Sequence, residues 1–495
     1  MLTTRQKIAA ALAAAVTIFS LPSCGGVPKQ INSSTSKHTI NRDDSSDSKE
    51  NQPKTTTATT TVTTVTTTEA TTTTTEPVMR GNLYDADGDL LMFSGTDSNG
   101  KEDRMTNDSN KVAFANVLNE MSEGLDLTFE EKLRVPNPSP VDGNSNVGQS
   151  IQLTFDADTQ NKIYDYMASQ NIIGSAVVMR SDGSLMAQVN YPSYNPDDYR
   201  GVKTEEDLAW GTYGNKAFQN YPPGSCFKIM SEVISDKHEI YSLYDEGKWE
   251  FDGTSIVNWD HDTNYSYPMQ RTLNSAFVNS SNIFFARSSD TIGKDAVLED
   301  LDTIFHFVSD IDCDFGVISN NIEIYCNDDL RRSAFGQSYV LTCPIYLAAL
   351  GREAAYGDMV KPFVMKNIVD TNDFNNVIES GSKPLDVIGT IPKEYRQNLL
   401  DGMTGVGAGL GISLPAGYSF YAKTGTAETW EGDFLYITGV LKNANDDGNG
   451  TYTDYSDYNG SYIVVMQVRN PGYFGYDFAS KSAPLYQGIV NCVVQ

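Results

Sequence analysis

A stretch of 53 residues near the start of the chain sets the limits on what this sequence can fold into. From residue 25 to residue 77 the side chains are mostly Ser, Thr, Asp, Asn and Lys, and 16 of the 21 residues from Thr55 to Thr75 are threonine. Such a segment has too little apolar surface to offset the entropy that ordering costs. Residues 24–77 are therefore predicted to be a disordered linker with a root-mean-square span of roughly 40 Å, or a glycosylated stalk. Any hydrophobic core must come from residues 78–495.

The first residues carry the features of an export signal. Arg5 and Lys7 precede an uncharged run from residue 8 to residue 21, which is too short to predict a membrane span. The sequence LPSCG that follows resembles a bacterial lipobox, so residues 1–23 are predicted to be a lipoprotein signal peptide and Cys24 to carry the lipid. An ordinary cleaved signal peptide and an uncleaved anchor are the alternatives. Each of them places the rest of the chain on the extracytoplasmic side of the cell membrane.

Charge and residue counts argue against two classes of function. The chain has 36 basic and 64 acidic side chains, a formal charge of −28, whereas nucleic-acid binding depends on clustered Lys and Arg. The six cysteines form no CxxC pair and the four histidines have no ligand-like spacing. We therefore expect no nucleic acid, no metal and no cofactor. Residues 259–262, with one His between two Asp, are predicted to form a solvated loop. The sequence leaves open whether Cys313 and Cys326 form a disulfide.

The pattern of strands and helices predicts an α+β fold. Before residue 150, two short strands around an Asp-Gly turn and a helix over residues 112–123 indicate a small β-rich N-terminal module, residues 78–149. Residues 150–495 form the main domain. Its predicted elements are a strand at 151–155, a hairpin over 176–189, a largely helical middle at 226–360 with one helix from Pro344 to Ala355, and strands at 434–441 and 462–468. Both ends of this domain are expected to close one sheet.

The first candidate for catalytic chemistry is the segment YPPGSCFK, which ends at Lys228. A Ser and a Lys three positions apart on a helix share one face, so the amine of Lys228 can remove the proton of Ser225. The Pro-Pro-Gly sequence predicts that Ser225 opens a helix, where backbone N–H groups point at an oxyanion. Apolar helix residues follow that would desolvate the lysine. Four further SxxK pairs are attributed to chance, at Ser34, Ser46, Ser98 and Ser380.

Two further motifs are weak when each is taken alone. Residues 280–282 read Ser-Ser-Asn, which is also typical of the wet face of a helix. The third motif is KTGT, which a strand arranges with Lys423 and Gly425 on one face and Thr424 and Thr426 on the other. The glycine in this strand permits the close approach of a ligand.

Together the three motifs resemble the penicillin-binding transpeptidase family. They occur in the order SxxK, SxN and KTG, with Ser280 55 positions after Ser225 and Lys423 143 positions after Ser280. The PSYNP sequence after the hairpin and Gly336-Gln337 are similar to other segments of that family. The resemblance implies a serine β-lactamase-like fold, an antiparallel sheet with helices on both faces. The small N-terminal module leaves no room for a glycosyltransferase domain, so the chain resembles the monofunctional class B type.

This resemblance implies a peptidoglycan D,D-transpeptidase whose substrates are stem peptides ending in D-Ala-D-Ala, and which β-lactam antibiotics acylate. The implied catalytic residues are the nucleophile Ser225, the base Lys228, the proton relay Ser280, and Asn282 and Lys423 around them. The implied substrate-binding residues are Thr424, Gly425 and Thr426, with the N–H groups of Ser225 and Thr426 as an oxyanion hole. A membrane glycan polymerase is the implied partner. Cys226 is expected to face away from the site.

Several alternatives share these motifs. A D,D-carboxypeptidase would pass the same acyl group to water, and the sequence does not distinguish it from a transpeptidase. A β-lactamase would need a deacylating base, and no ExxLN-like segment follows the SxN motif. A non-catalytic wall lipoprotein would not need three intact motifs, and a β-lactam sensor would need transmembrane helices and a signalling domain.

Overall fold

The computed structural model describes the chain from residue 77 onward with gaps, namely residues 77–119, 124–139, 146–198, 204–209, 211–381, 385–429, 432–450, 455, 458–470 and 478–494. The predicted signal peptide, Cys24 and the linker up to residue 76 lie outside the described residues.

The strands are β1 (Leu83–Tyr84), β2 (Leu90–Thr96), β3 (Glu102–Thr106), β4 (Ser150–Leu153), β5 (Gly174–Arg180), β6 (Leu185–Tyr191), β7 (Ser242–Asp245), β8 (Lys248–Phe251), β9 (Thr254–Val257), β10 (Met269–Thr272), β11 (Ile311–Cys313), β12 (Gly316–Ile318), β13 (Asn321–Glu323), β14 (Tyr339–Leu341), β15 (Asp358–Val360), β16 (Met365–Asp370), β17 (Asp373–Ser380), β18 (Val387–Thr390), β19 (Tyr418–Ala427), β20 (Asp433–Asn443) and β21 (Tyr462–Asn470). The helices are α1 (Ala115–Leu118), α2 (Leu125–Thr128), α3 (Glu130–Leu133), α4 (Ala157–Ser169), α5 (Glu205–Ala209), α6 (Lys228–Lys237), α7 (Leu273–Val278), α8 (Asn282–Ile292), α9 (Lys294–Thr303), α10 (Asn327–Ser333), α11 (Pro344–Tyr356), α12 (Lys393–Leu410) and α13 (Phe478–Val494).

The main domain is built around a five-stranded antiparallel sheet in the order β19-β20-β21-β5-β6. β5 and β6 form the predicted hairpin, and β21 pairs along the whole of β5 from Tyr462 opposite Arg180 to Val468 opposite Gly174. The first and last strands of this sheet along the chain, β5 and β21, are therefore paired with each other inside it. The predicted α+β fold with an antiparallel sheet is confirmed.

Helices cover both faces of this sheet, as predicted. Neighbouring residues of a strand point to opposite faces, and on β20 a Cβ added at Gly439 would lie 2.2 Å from the hydroxyl of Tyr486 in α13. On the other face, a Cβ at Gly351 of α11 would lie 3.2 Å from Thr438. The hydroxyl of Tyr486 also donates to the carbonyl of Val464 (2.9 Å). The helix α13 was not predicted from the sequence.

A second sheet of six strands has the order β17-β16-β4-β1-β2-β3. The predicted pair around the Asp-Gly turn is β1 and β2, and β1 also runs parallel to β4, with Leu83 opposite Ile151. Strands from before residue 150 thus share a sheet with β16 and β17. The predicted helix over residues 112–123 was wrong in length, because the single turn α1 ends where Asn119 turns to an extended backbone, with ψ 157°.

The middle of the chain is less helical than predicted. Between α6 and α11 the chain forms α7 to α10 but also several two-stranded sheets of three or four residues per strand. Strands this short carry no readable alternation, which explains the error. The predicted helix after Pro344 is confirmed as α11. Residues 228–236 of α6 are all buried, so this helix is the centre of the helical half of the domain.

Candidate active site

The candidate nucleophile Ser225 lies in a single 3₁₀ turn, Gly224–Phe227, that continues directly into α6. Gly224 before it has φ +54°, and a Cβ at this position would lie 2.3 Å from the carbonyl oxygen of Thr426. Glycine thus permits the turn to pack against β19. Ser225 is partly exposed whereas Lys228 is fully buried. A substrate can therefore reach the hydroxyl but not the amine behind it.

Nζ of Lys228 is surrounded by four oxygen atoms. It donates to the carbonyl of Ser280 (2.7 Å) and to Oδ1 of Asn282 (2.7 Å), and it lies 3.0 Å from Oγ of Ser225 and 3.1 Å from Oγ of Ser280. A neutral amine has two N–H donors and one lone pair. The two carbonyl oxygens take the donors, so the lone pair is left to accept a proton from a hydroxyl.

The electrostatic environment favours this neutral form. Burial lowers the pKa of Lys228 well below its ordinary value, the charge of Lys423 lowers it further, and Asp245 opposes both. Burial also lowers the pKa of Lys423, to about 8. Lys228 is therefore the lysine of the pair whose neutral form the surroundings favour, because the charge of Lys423 adds to the effect of burial. Such a pair of lysines can supply one base and one fixed cation.

The SxN motif occupies the break between α7 and α8. Ser281 caps α8 by accepting from the amide of Phe284 (3.1 Å), and Asn282 is the first helical residue. Ser280 has φ +55°, in the left-handed region. This conformation turns both its carbonyl and its hydroxyl toward Lys228.

The KTGT motif lies on β19, the edge strand of the five-stranded sheet. Lys423 and Gly425 are buried, Thr424 is half-buried and Thr426 is exposed, which is the alternation that the strand prediction requires. Nζ of Lys423 donates to Oγ of Ser280 (3.1 Å) and to the carbonyl of Thr424 (3.0 Å). The hydroxyl of Ser280 thus bridges the two lysines.

The three motifs therefore meet around one hydroxyl. Residues 174–491 match the family described as the penicillin binding protein transpeptidase domain. The chain belongs to this family. Sequence relatives include penicillin-binding protein 3 of Bacillus subtilis (strain 168), 26% identical over 407 residues, which are 75% of this chain and 55% of that protein. A peptidoglycan D,D-transpeptidase FtsI homolog of Mesostigma viride is 23% identical over 448 residues, 78% of this chain and 70% of the relative. The chain thus spans about half the length of the Bacillus protein.

Solved structures have the same fold. The D,D-transpeptidase domain of a peptidoglycan glycosyltransferase from Eggerthella lenta superposes with a TM-score of 0.65 at 20% identity, covering 84% of this chain and 98% of that one. Penicillin-binding protein A from M. tuberculosis, solved as an imipenem acyl-enzyme complex, gives a TM-score of 0.65 at 18% identity, covering 85% and 99%. These likenesses concern the fold of the penicillin-binding domain.

The Gly-Gln segment of this penicillin-binding domain lies against the nucleophile turn. Gly336 accepts from the amide of Gly224 (3.1 Å) through its carbonyl and has φ +74°. A Cβ on Gly336 would lie 2.1 Å from the carbonyl oxygen of Gly224. No side chain fits between the two segments. The close contact at Gly336 therefore sets the position of the turn that carries Ser225.

The cysteine beside the nucleophile points away from the cleft, as predicted. Cys226 is fully buried, and its Sγ donates to the carbonyl of Lys423 (3.5 Å) and accepts from Oγ1 of Thr438 (3.7 Å). Burial raises the pKa of the thiol to about 11. A buried thiol with this pKa is not a nucleophile at neutral pH. Cys313 is a free buried thiol, so it forms no disulfide with Cys326.

Sequence reasoning missed the polar residues that support the SxN motif. Asp245 at the end of β7, Asn258 after β9 and Arg271 in β10 are buried beside it, although each comes from a short polar segment. A polar residue that packs inward from a short strand or loop has no distinct sequence signal, because its spacing from the motif is set by the intervening hairpins. The neighbouring residues 259–262 form exposed and half-exposed turns, in line with the predicted loop.

Two features bear on membranes and metals in the part of the chain that the structure describes. None of its helices combines the length and the apolar character that crossing a bilayer requires. No group of three or more His, Cys, Asp and Glu side chains in this part is arranged to hold a metal ion.

Proposed function

We propose that this protein is a peptidoglycan D,D-transpeptidase that cross-links stem peptides ending in D-Ala-D-Ala through an acyl-enzyme on Ser225. The observation that carries the proposal is the pair formed by Oγ of Ser225 and Nζ of Lys228, 3.0 Å apart, with the amine buried beside a second lysine. A serine becomes a nucleophile at neutral pH when an adjacent base takes its proton. A neutral lysine is such a base.

In the first half-reaction Oγ of Ser225 attacks the carbonyl carbon of the penultimate D-Ala, and its proton moves to Nζ of Lys228. The tetrahedral intermediate then collapses. The C–N bond to the terminal D-Ala breaks, and the leaving amine takes a proton from the hydroxyl of Ser280, which is replenished by Lys228 at 3.1 Å. Free D-Ala and an ester on Ser225 are the products, and Lys228 is neutral again.

In the second half-reaction an amine of a neighbouring stem peptide attacks the ester. Its proton passes to Lys228 and from there to Oγ of Ser225 as the C–O bond breaks. A new peptide bond joins the two stems and the enzyme is restored. Hydrolysis of the same ester would require water in place of the amine.

The remaining site residues bind the substrate, leave room for the Ser225 turn or stabilise the oxyanion. Thr424 and Thr426, at the accessible edge of β19, bind the terminal carboxylate of the donor, and the positive charge of Lys423, buried behind them, attracts it. Gly425 leaves room for the nucleophile turn, since a Cβ there would lie 2.6 Å from the carbonyl of Pro223. The N–H groups of Ser225 and Thr426 stabilise the oxyanion, a contribution typically of about 3–4 kcal/mol per donor.

Penicillin and other β-lactams would acylate the same serine, because their strained amide takes the place of the D-Ala-D-Ala bond. Within the described residues, no carboxylate oxygen hydrogen-bonds to Ser225 or Lys228. A site without a carboxylate to activate water retains its acyl group, which favours inhibition over turnover of the antibiotic.

The domain organisation and the cellular location complete the proposal. Residues 1–23 are the signal peptide, residues 24–77 are the tether with its lipid on Cys24, residues 78–149 are the N-terminal module and residues 150–495 are the transpeptidase domain. The lipid would hold the domain on the extracytoplasmic side of the cell membrane, and the tether would let it reach the wall. A membrane glycan polymerase supplies the strands to be cross-linked.

The experiment that tests the activity uses the full chain in detergent, a stem peptide ending in D-Ala-D-Ala, and an excess of an amine acceptor. Released D-Ala, the cross-linked product and the hydrolysed product are measured by liquid chromatography and mass spectrometry. A transpeptidase forms mainly the cross-linked product, and its yield rises with acceptor concentration. If hydrolysis dominates at every acceptor concentration, the protein is a D,D-carboxypeptidase.

A further inference from the structure

Two consecutive residues of one loop hold the backbone on both sides of Ser280. The indole Nε1 of Trp259 donates to the carbonyl of Asn279 (2.9 Å). Oδ1 of Asn258 accepts from the amide of Asn282 (2.7 Å) and from the amide that follows it (3.1 Å). Ser280 thus lies between two anchored peptide groups.

The conformation of Ser280 makes these anchors necessary. A non-glycine residue with φ near +55° is in a sparsely populated region and persists where its surroundings hold it. The first amides of α8 also have no partner within the helix. Asn258 occupies them with one oxygen, so the same side chain satisfies the helix end and fixes where the strained turn enters it.

A buried carboxylate anchors Asn258 in turn. Nδ2 of Asn258 donates to both oxygens of Asp245 (2.9 and 3.0 Å), and the hydroxyl of Ser281 donates to the same carboxylate (2.7 Å). The guanidinium Nε of Arg271 lies 2.7 Å from Asp245, and both side chains are buried. The loop that carries Asn258 is therefore tied to the SxN motif through a fixed charge pair.

We propose that Asn258 and Trp259 are positioning residues for the acyl transfer. This inference rests on the proposed function. They set the place of the Ser280 carbonyl and hydroxyl and of Oδ1 of Asn282, which together orient the lone pair of Lys228.

The hydrogen bond of Trp259 can be removed with little loss of packing. Its side chain is 69% exposed, so it buries little apolar surface, yet its N–H is directed at the carbonyl of Asn279. Replacing the indole by a phenyl ring removes the N–H and keeps an aromatic ring. Trp259→Phe is therefore a mild change for folding and a specific one for the turn.

The test measures acylation of the full chain by a fluorescent penicillin, in wild type, Trp259→Phe and Asn258→Ala. The concentration dependence separates the acylation rate constant from the dissociation constant of the non-covalent complex, and rates are expressed per titrated active site. We expect the rate constant to fall about 10-fold in Trp259→Phe and about 100-fold in Asn258→Ala, because a displacement of about 1 Å in a catalytic group can cost 10²-fold. The dissociation constant stays the same.

Tyr265→Phe is the matched control, since Tyr265 is an aromatic residue of the same loop that is 96% exposed. It should acylate like wild type. An unchanged rate constant in Trp259→Phe and Asn258→Ala overturns the inference, as does a change confined to the dissociation constant, which would mean that Trp259 contacts the ligand. If wild type itself forms no adduct, the proposed function fails, and the inference with it.

Discussion

Replacing Lys423 by methionine tests whether a second cation keeps Lys228 neutral. Both Nζ atoms lie 3.1 Å from Oγ of Ser280, so they are at most about 6 Å apart. At an effective dielectric constant of about 20, two unit charges at this distance interact with about 2.8 kcal/mol. That energy corresponds to about two pKa units. We expect the pKa of Lys228 to rise by about this amount in Lys423→Met.

The assay is the rate of penicillin acylation as a function of pH. In the proposed mechanism neutral Lys228 accepts the proton of Ser225, so acylation increases as pH rises through the pKa of Lys228. This pKa is depressed in the wild type, and loss of the charge at Lys423 raises it. The midpoint of the acidic limb should therefore move to higher pH by about two units. The plateau also falls, because carboxylate binding is weakened, but the midpoint is the diagnostic quantity.

Lys442→Met is the control for the loss of a lysine elsewhere in the domain. Lys442 is half-buried and donates to the carbonyl of Ala355 (3.3 Å), with no part in the site. The acidic limb of the Lys442→Met pH profile should coincide with that of the wild type. A midpoint in Lys423→Met that stays in place, or moves to lower pH, would refute the electrostatic reasoning.

Two further substitutions test the charge of Asp245 and the close contact at Gly336. Asp245→Asn removes the charge that raises the pKa of Lys228, so the acidic limb of the pH profile should move to lower pH, and a shift to higher pH would contradict the assignment. Thermal unfolding should show that the free energy of unfolding falls by about 3 kcal/mol, because Arg271 is left unpaired. Gly336→Ala places a Cβ 2.1 Å from the carbonyl oxygen of Gly224, so acylation should be lost and stability should fall by about 2 kcal/mol or more. Gly100→Ala is its control, because Gly100 has a similar φ of +77° with nothing within 4 Å, and acylation should persist at a cost of about 1–2 kcal/mol. Equal acylation of the two alanine variants would show that Gly336 does not set the nucleophile turn.

The sequence predicted those parts of the site that one element determines. The separation of Ser225 and Lys228 follows from three positions along a helical turn, and the alternation in the KTGT motif follows from the geometry of a strand. The turn before Ser225 was likewise predicted from Pro-Pro-Gly. In each case the partner lies within a few residues, so local rules suffice.

The rest depends on contacts between distant segments. Asp245 and Asn258 lie in polar segments like many others in this chain, and only the folded structure brings them beneath the SxN motif. The six-stranded sheet is similar, since β1 pairs with β4 and the sheet continues into β16, about 280 residues further along the chain than β1. Neither pairing leaves a periodic signal in the sequence. The short strands β7 to β15 were missed for the same reason.

The central claim is that Ser225 is the acylated nucleophile, and intact-mass spectrometry tests it most directly. The full chain, as wild type, Ser225→Ala and Ser98→Ala, is mixed with penicillin and followed over hours; Ser98 is the exposed serine of a second SxxK sequence, in the turn between β2 and β3. A persistent one-to-one adduct is predicted on wild type and Ser98→Ala and none on Ser225→Ala. An adduct that is lost with hydrolysis of the drug would indicate a β-lactamase. An adduct on Ser225→Ala, or none on the wild type, would contradict the account.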